Sequence, residues 1–329
     1  MKLGFLVNAV EELIPTQTTS MLIHQAALAG HQANVLPIAS LHIDPDGTIR
    51  GNAVVATAHG HVAETVAALH KTAPTPADMT ALDALMIRTN PARDPRLWAH
   101  DMALECAALL EDRGVFVANR PAALRRSMSK AMLTRMPIST RPVTMVTRDF
   151  VAFENFLAEA PGDIVAKPLA GTRGSDVFRI ARGSPNVRQI FDVLTRNGYC
   201  VAQHFVPDAL KGDIRIVLLD GKPLQSGGQL AAVRRIPGSK DFRSNIAVGG
   251  TAAPEILTDE MRAVADLLAT QLAAEGLWLV GLDLIGTQVV EINVFSTGGL
   301  RHAELFYEQT FTRVIIDWLV DRATQKKPR

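Results

Sequence analysis

The chain has 329 residues, 47% of them hydrophobic and 20% charged, with a formal net charge of +1. That length accommodates two or three domains with sizeable cores, and the composition is that of an ordinary globular protein. The even charge balance excludes a nucleic-acid surface built on a basic excess, and an acidic solvating tail.

In chain order, MKLGFLVNAV has too short an apolar run before Glu11 and Glu12 for a membrane span or a secretory signal, and Lys2 to Asn8 reads as a buried strand. Thr18 to Gly30 follows as a helix closed by its glycine, then Val35 to Ile38 as a strand leading to a turn at Asp44-Pro45-Asp46-Gly47. Ala81 to Arg88 is another apolar strand, Pro95 to Arg113 a helix, and Val115 to Ala118 a further strand. Strands alternating with helices predict an open parallel α/β sheet up to Asn119. Such sheets bind ligands beyond the carboxyl ends of their strands, which singles out Asn8 and Arg88-Thr89-Asn90-Pro91. Arg88 is either a ligand for a substrate carboxylate or an ordinary solvated arginine after a strand. Cys106 and Cys200 are too few for a disulfide framework or a zinc site, and they suit inert buried thiols in a cytoplasmic protein.

Beyond Asn119 the pattern changes. Ser127 to Met136 reads as a short helix carrying Lys130, and Asp163 to Pro168 as a strand carrying Lys167. A glycine-bearing turn, with Gly171, Gly174 and Ser175, joins it to a strand from Asp176 to Ile180. Such a turn can curl its amides over phosphate or be a plain surface hairpin. With no helix following, it is neither a P-loop nor a dinucleotide fingerprint. Tyr199 to Phe205 and Asp213 to Asp220 are apolar strands, with Arg215 facing away from Ile214 and Ile216. Val233 to Gly250 reads as a long loop with an anion-facing character from Arg234, Arg235, Lys240 and Arg243. Leu257 to Glu275 is a helix, and a last helix runs from Ala303 to Lys326.

Trp278 to Leu300 is the most informative stretch. Two apolar runs flank a Gly-Thr turn, as in a β-hairpin. Pairing Leu282 with Ile292 puts Asp283, Glu291 and Asn293 on one face, and it needs a three-residue loop (Gly286, Thr287, Gln288) or an equivalent bulge. A one-residue slip would send the carboxylates to opposite faces. Two carboxylates and an amide oxygen suit Mg²⁺, which takes its other ligands from water and phosphate. An acidic, half-exposed hairpin face is the alternative.

The stretches NRPAALRRSMSK, DIVAKPLAGTRGSDVFRI, RRIPGSKDFRSNIAVGG and VGLDLIGTQVVEINV together resemble the ATP-grasp ligases, most closely the prokaryotic glutathione synthetases. The resemblance implies an N-terminal α/β substrate domain (1–121) and an ATP-grasp domain (122–325) of two α+β subdomains with ATP between them, a small lid-like one at 140–206 and a larger catalytic one at 207–325. It places Lys130, Lys167, Gly171, Gly174 and Ser175 on the ATP phosphates, Gln203, His204, Phe205 and Val206 on the adenine, and Asp213 near the ribose. Asp283, Glu291 and Asn293 would hold a pair of Mg²⁺ ions, with Arg235 at the γ-phosphate and Arg215 orienting the acyl substrate. Arg88, Asn245, Gly249, Gly250 and Ser296 would meet the substrates.

The implied reaction joins γ-glutamylcysteine to glycine through an acyl phosphate in a cytoplasmic homo-oligomer, a dimer or tetramer, whose partners are small molecules and neither nucleic acid nor membrane. The alternative is a related ATP-grasp ligase with a different acid and amine. The sequence departs from the family at two places: Thr89-Asn90-Pro91-Ala92 stands where lysine, aspartate and two prolines are usual, and Ser296-Thr297-Gly298-Gly299 where a Ser-Pro-Thr run usually follows the metal motif. Arg173 also replaces a small residue of the glycine loop.

Overall fold

The computed structural model describes residues 1–169, 176–238, 244 and 249–326. Parallel strands Gln32–Pro37, Lys2–Val7, Ala84–Ile87 and Phe116–Ala118 lie side by side in that order. Their side chains alternate between two cores. Leu3, Phe5 and Val7 pack with Leu22 and Ile23 of helix Thr18–Leu28, whereas Leu6 packs with Ala103 and Leu104 of helix Leu97–Asp112. Burial on both faces accounts for the apolar runs Leu3–Val7, Ala84–Ile87 and Phe116–Ala118. Beyond Gln32–Pro37 the sheet continues antiparallel through Ile49–Ala56, which also pairs with His42–Ile43 and Thr75–Asp78. Arg50, Gly51 and Asn52 interrupt the apolar pattern there, so the sequence shows only a turn in this region.

A second, wholly antiparallel sheet orders Phe178–Ile180, Ile164–Pro168, Cys200–His204 and Thr144–Thr147. Helices Phe150–Glu159 and Val187–Thr195 bury Phe153, Leu157 and Phe191 against it. The third sheet runs Thr251–Pro254, Ala232–Ile236, Asp213–Leu219, Leu279–Ile285, Gln288–Asn293, all antiparallel. Helix Asp259–Ala274 covers one face through Ala265, Leu268 and Leu272, while helix Phe311–Lys326 packs back on Thr18–Leu28.

Elements that the sequence does mark also differ from the expectation in part. Lys130 opens a 3₁₀ turn, Lys130–Arg135, because Ser127 and Ser129 leave the helical region and separate it from helix Pro121–Arg126. The arginine-rich segment begins as a strand, Ala232–Ile236, rather than as loop, and strand Thr251–Pro254 follows directly after Gly250. The last helix is two, Leu300–Tyr307 and Phe311–Lys326, divided where Glu308 takes a left-handed φ of 51°.

The hairpin has the expected register by way of a bulge. Leu282 opposes Ile292 and Asp283 opposes Glu291, yet Leu284 opposes Val289, so Val290 is the extra residue. The loop itself is the two residues Gly286 and Thr287, with Gly286 at φ 57°, the residue type a tight hairpin favours at its first turn position. At Gly281, beside Asn293 in the ladder, an added Cβ would overlap the buried Thr297 hydroxyl. Gly281→Ala should therefore lower stability by about 1–3 kcal/mol, the usual cost of overpacking, and thermal denaturation of the variant measures it.

Candidate active site

Asp283, buried at 2% exposure, is the electrostatic centre of the third sheet. Arg215 stands directly across the ladder from it and binds both its oxygens, Nη2 to Oδ2 at 3.0 Å and Nε to Oδ1. Arg235 reaches Oδ2 at 2.9 Å and also grips Asp213, its own ladder partner, through Nε at 2.8 Å and Nη2. Ser244 Oγ donates to Asp213 Oδ1 at 2.7 Å. Burial alone would raise the Asp283 pKa, but the two guanidinium groups outweigh it and hold the carboxyl below its ordinary range. Burial likewise works against the Arg235 charge, and Asp283 and Asp213 overcome it, so its pKa lies above normal. Such pairs are costly to break, since a lost partner strands a buried charge.

One residue along the hairpin, the bulge sets the second half of the site. The Val290 carbonyl, turned out of the regular ladder, accepts from Lys167 Nζ at 3.2 Å. This contact draws strand Ile164–Pro168 of the small sheet to the hairpin and brings Lys167 beside Glu291. Lys130 arrives from the 3₁₀ turn, whose first backbone N–H donates to the Leu169 carbonyl at 3.3 Å. Lys130, Lys167, Glu291, Asn293 and Ser296 line one cavity. Burial pushes both lysines below the ordinary pKa, Glu291 counteracts this, and at Lys167 Asp283 does so as well. Two partly desolvated ammonium groups facing a carboxylate form a site for further anionic charge, provided a cation accompanies it.

The oxygen donors meet that condition. Asn293 Nδ2 donates to Asp283 Oδ2 at 3.4 Å, which presents its carbonyl oxygen elsewhere, and Glu291 and Asn293 share the cavity wall. No group of three acidic, histidine or cysteine side chains is placed to hold a metal among the described residues. A cation here would find few protein oxygens and would need water and phosphate to complete its shell, the habit of Mg²⁺. The donor set fits that ion, with Asp283 available only in competition with Arg215 and Arg235.

A second cavity adjoins the first at Asn90 and Ser296, which line both. It lies beyond the carboxyl ends of strands Lys2–Val7 and Ala84–Ile87, among Asn8, Thr19, Arg88, Gly298 and Gly299. Arg88 is no solvated arginine: it is 4% exposed, and its guanidinium donates to Thr19 Oγ1 at 3.2 Å and to the carbonyls of Phe295 and Thr297 at 3.4 and 2.8 Å. Its hydrogen-bond partners among the described residues are neutral oxygens, and burial pushes its pKa down to about 10. Asn8 and Asn90 brace each other, Asn90 N donating to Asn8 Oδ1 at 2.7 Å and Asn8 Nδ2 to the Asn90 carbonyl at 3.2 Å.

The remaining expected residues lie apart from these cavities or outside the described residues. Gln203 is buried against Thr144 Oγ1 at 3.2 Å, His204 lies by the Phe156 ring, Phe205 lies beneath the Arg179 guanidinium, and Val206 caps a 3₁₀ turn. Of their strand, Val201 lines the lysine cavity. Asp213 belongs to the arginine network described above, so its carboxylate is committed to Arg235 and Ser244. Gly249, at φ 99°, and Gly250 directly precede strand Thr251–Pro254. Gly171, Gly174, Ser175 and Asn245 lie outside the described residues. Sequence reasoning misses Ser244, a lone polar residue with no periodic signal, and although strand ends point to Asn8 and Asn90 it does not show that they bond each other.

Comparison with known proteins accords with this arrangement. The prokaryotic glutathione synthetase N-terminal domain matches residues 1–125, and the prokaryotic glutathione synthetase ATP-grasp domain residues 129–308. Glutathione synthetase of Vibrio cholerae is 33% identical over 322 residues, covering 96% of this chain and 96% of the relative. That of Shewanella oneidensis is 31% identical over 331 residues, covering 99% and 100%. The structure of the ATP-grasp ligase PsnB, complexed with a phosphomimetic variant of its minimal precursor, Mg and ADP, superposes with a TM-score of 0.64 at 16% identity, over 97% of this chain and 98% of that one; at that identity the likeness concerns the fold. The chain belongs to the prokaryotic glutathione synthetase family, ATP-dependent ligases that form a C–N bond on an ATP-grasp fold.

Proposed function

We propose that the protein is a glutathione synthetase, joining γ-glutamylcysteine to glycine at the expense of ATP. One observation carries the reading: the cavity of Lys130, Lys167, Glu291 and Asn293 adjoins the cavity of Arg88, with Asn90 and Ser296 lining both. A triphosphate in the first and an acid in the second would place a carboxylate beside a γ-phosphate.

In this reading Lys130 and Lys167 bind phosphate oxygens, and Glu291 and Asn293, with Asp283 behind them, would hold two Mg²⁺ ions. Bound there, Mg²⁺ would supply the positive charge that neutralises the phosphates. Phosphoryl transfer asks the protein for positioning and charge compensation more than for covalent help. A carboxylate oxygen of the acid attacks the γ-phosphorus and ADP leaves; the glycine amine then attacks the acyl carbon, phosphate leaves and the ammonium proton is lost. Arg235 and Arg215, locked in place by Asp213 and Asp283, present their remaining N–H groups to the transferred phosphoryl group and the acyl oxygen. Arg88, with neutral partners only, has a charge left for the acid's other carboxylate. Gly171, Gly174 and Ser175 are assigned to the phosphates, Gln203 to Val206 to the adenine, and Asn245, Gly249, Gly250 and Ser296 to the substrates, with residues 1–121 as the acid-binding domain and 140–206 and 207–325 as the two parts of the ATP-grasp domain. Asp213 is assigned to holding Arg235 rather than to the ribose.

A second reading keeps the chemistry and changes the acid and amine. Asn90, Gly298 and Gly299, at the two departures from the family pattern, all line the acid-side cavity. ADP release measured over a panel of acid and amine pairs separates the two. γ-Glutamylcysteine with glycine should give the highest kcat/KM, and tight coupling to a different pair would establish the second reading. No helix among the described residues is long and apolar enough to cross a membrane, and a cytoplasmic dimer or tetramer is part of the proposal.

A further inference from the structure

Asn119 follows the last parallel strand of the N-terminal sheet, is 4% exposed, and turns its whole side chain on the hairpin. Its Oδ1 accepts from the backbone N–H groups of Trp278 and Leu279, both at 2.8 Å. Its Nδ2 donates to the carbonyls of Leu279 at 2.9 Å and Val294 at 2.7 Å. A primary amide has two N–H donors and one oxygen with two lone pairs, so all its capacity is spent on these partners. Their places in the chain matter more than their number. Leu279 opens the strand that carries Asp283, and Val294 directly follows Asn293. A single side chain from another sheet thus ties together both strands of the hairpin at their open end.

The segment after Val294 is held in the same manner. Arg88 takes the carbonyls of Phe295 and Thr297, and Arg215 takes that of Gly298 at 3.1 Å. Between these anchors Ser296 lines both cavities. A shift of the Val294 carbonyl away from Asn119 would move Asn293 with it, and metal and phosphate sites tolerate displacements of only about 0.5 Å.

We propose that Asn119 is a positioning residue for the reaction: it fixes Glu291 and Asn293 against Lys130 and Lys167 by anchoring the open end of the hairpin to the N-terminal sheet. The inference rests on the ligase reading, and its test distinguishes the two. ADP binding to the full-length protein is titrated by calorimetry at a series of Mg²⁺ concentrations, and the thermal midpoint is recorded in parallel. The variants are Asn119→Ala, Asn119→Asp and Leu69→Ala, the last a core truncation on helix Val62–Lys71, which packs on strand Ile49–Ala56 toward the opposite edge of the N-terminal sheet. Leu69→Ala should lower the midpoint and leave the Mg²⁺ half-saturation of the wild type. Both Asn119 variants should raise that half-saturation about 10- to 100-fold, the range typical when a group supporting a metal ligand is lost. Should Asn119→Ala fail to fold, Asn119→Asp gives the same reading, because it keeps the two accepted bonds and sets an oxygen against the carbonyls of Leu279 and Val294. Asn119 variants that lose thermal stability but keep the wild-type Mg²⁺ dependence would overturn the inference; a wild type that binds no ADP at any Mg²⁺ concentration would instead overturn the ligase reading beneath it.

Discussion

Glu291→Gln should retain the fold and lose nearly all turnover. Glu291 lies on the wall of the lysine cavity, one residue past the bulge, with Lys130 and Lys167 as its electrostatic neighbours. The amide keeps its size and removes the charge on which the cation depends. Losing a group that merely supports a metal ligand costs about 10- to 100-fold, so losing the ligand should cost more than the top of that range. Steady-state ADP release measures the effect, and circular dichroism checks the fold. A wild-type rate in this variant would remove Glu291 from the metal site.

The second large effect is expected at Lys167. Charge-assisted hydrogen bonds contribute about 1.5–3 kcal/mol, so Lys167→Ala should raise the KM for ATP about ten- to a hundredfold. Stability should move differently. Burial lowers the Lys167 pKa in the folded protein, so the folded state binds this proton less tightly than the unfolded chain. The resulting penalty is complete below the lowered folded-state pKa and vanishes only as pH rises past the ordinary lysine value. Lys167→Met, which keeps the apolar stem, should therefore bind ATP poorly without a lower thermal midpoint. A drop in the midpoint with unchanged KM would make Lys167 a structural residue, serving only the Val290 carbonyl.

Different parts of the molecule were legible in the sequence to different degrees, for physical reasons. Ala84–Ile87 and Phe116–Ala118 stand out because burial on both faces leaves no polar position. The hairpin register was readable because three polar residues had to share a face, and the bulge at Val290 is the device that reconciles this with a two-residue turn. Which oxygen meets which cation was not readable. The alternation around Arg215 shows that it faces away from Ile214 and Ile216, but its ladder pairing with Asp283 comes from the joining of two strands far apart in sequence. The same holds for Asp213, whose partner Arg235 lies on a strand hidden within an apparent loop. Arg88 could be placed at a strand end but not as a buried cation, because Thr19, Phe295 and Thr297 are brought to it by tertiary packing alone. Asn119, beside a proline-containing stretch, has the local look of a turn residue, and its partners are about half the chain away in sequence.

The most direct measurement follows oxygen. γ-Glutamylcysteine labelled with ¹⁸O in its cysteinyl carboxylate is turned over with glycine, ATP and Mg²⁺, and the released phosphate is analysed by mass spectrometry. Attack of that carboxylate on the γ-phosphate, across the junction at Asn90 and Ser296, delivers one labelled oxygen to each phosphate. Phosphate released without label during glutathione formation would mean that the acid never becomes an acyl phosphate, contradicting the assignment of the two joined cavities.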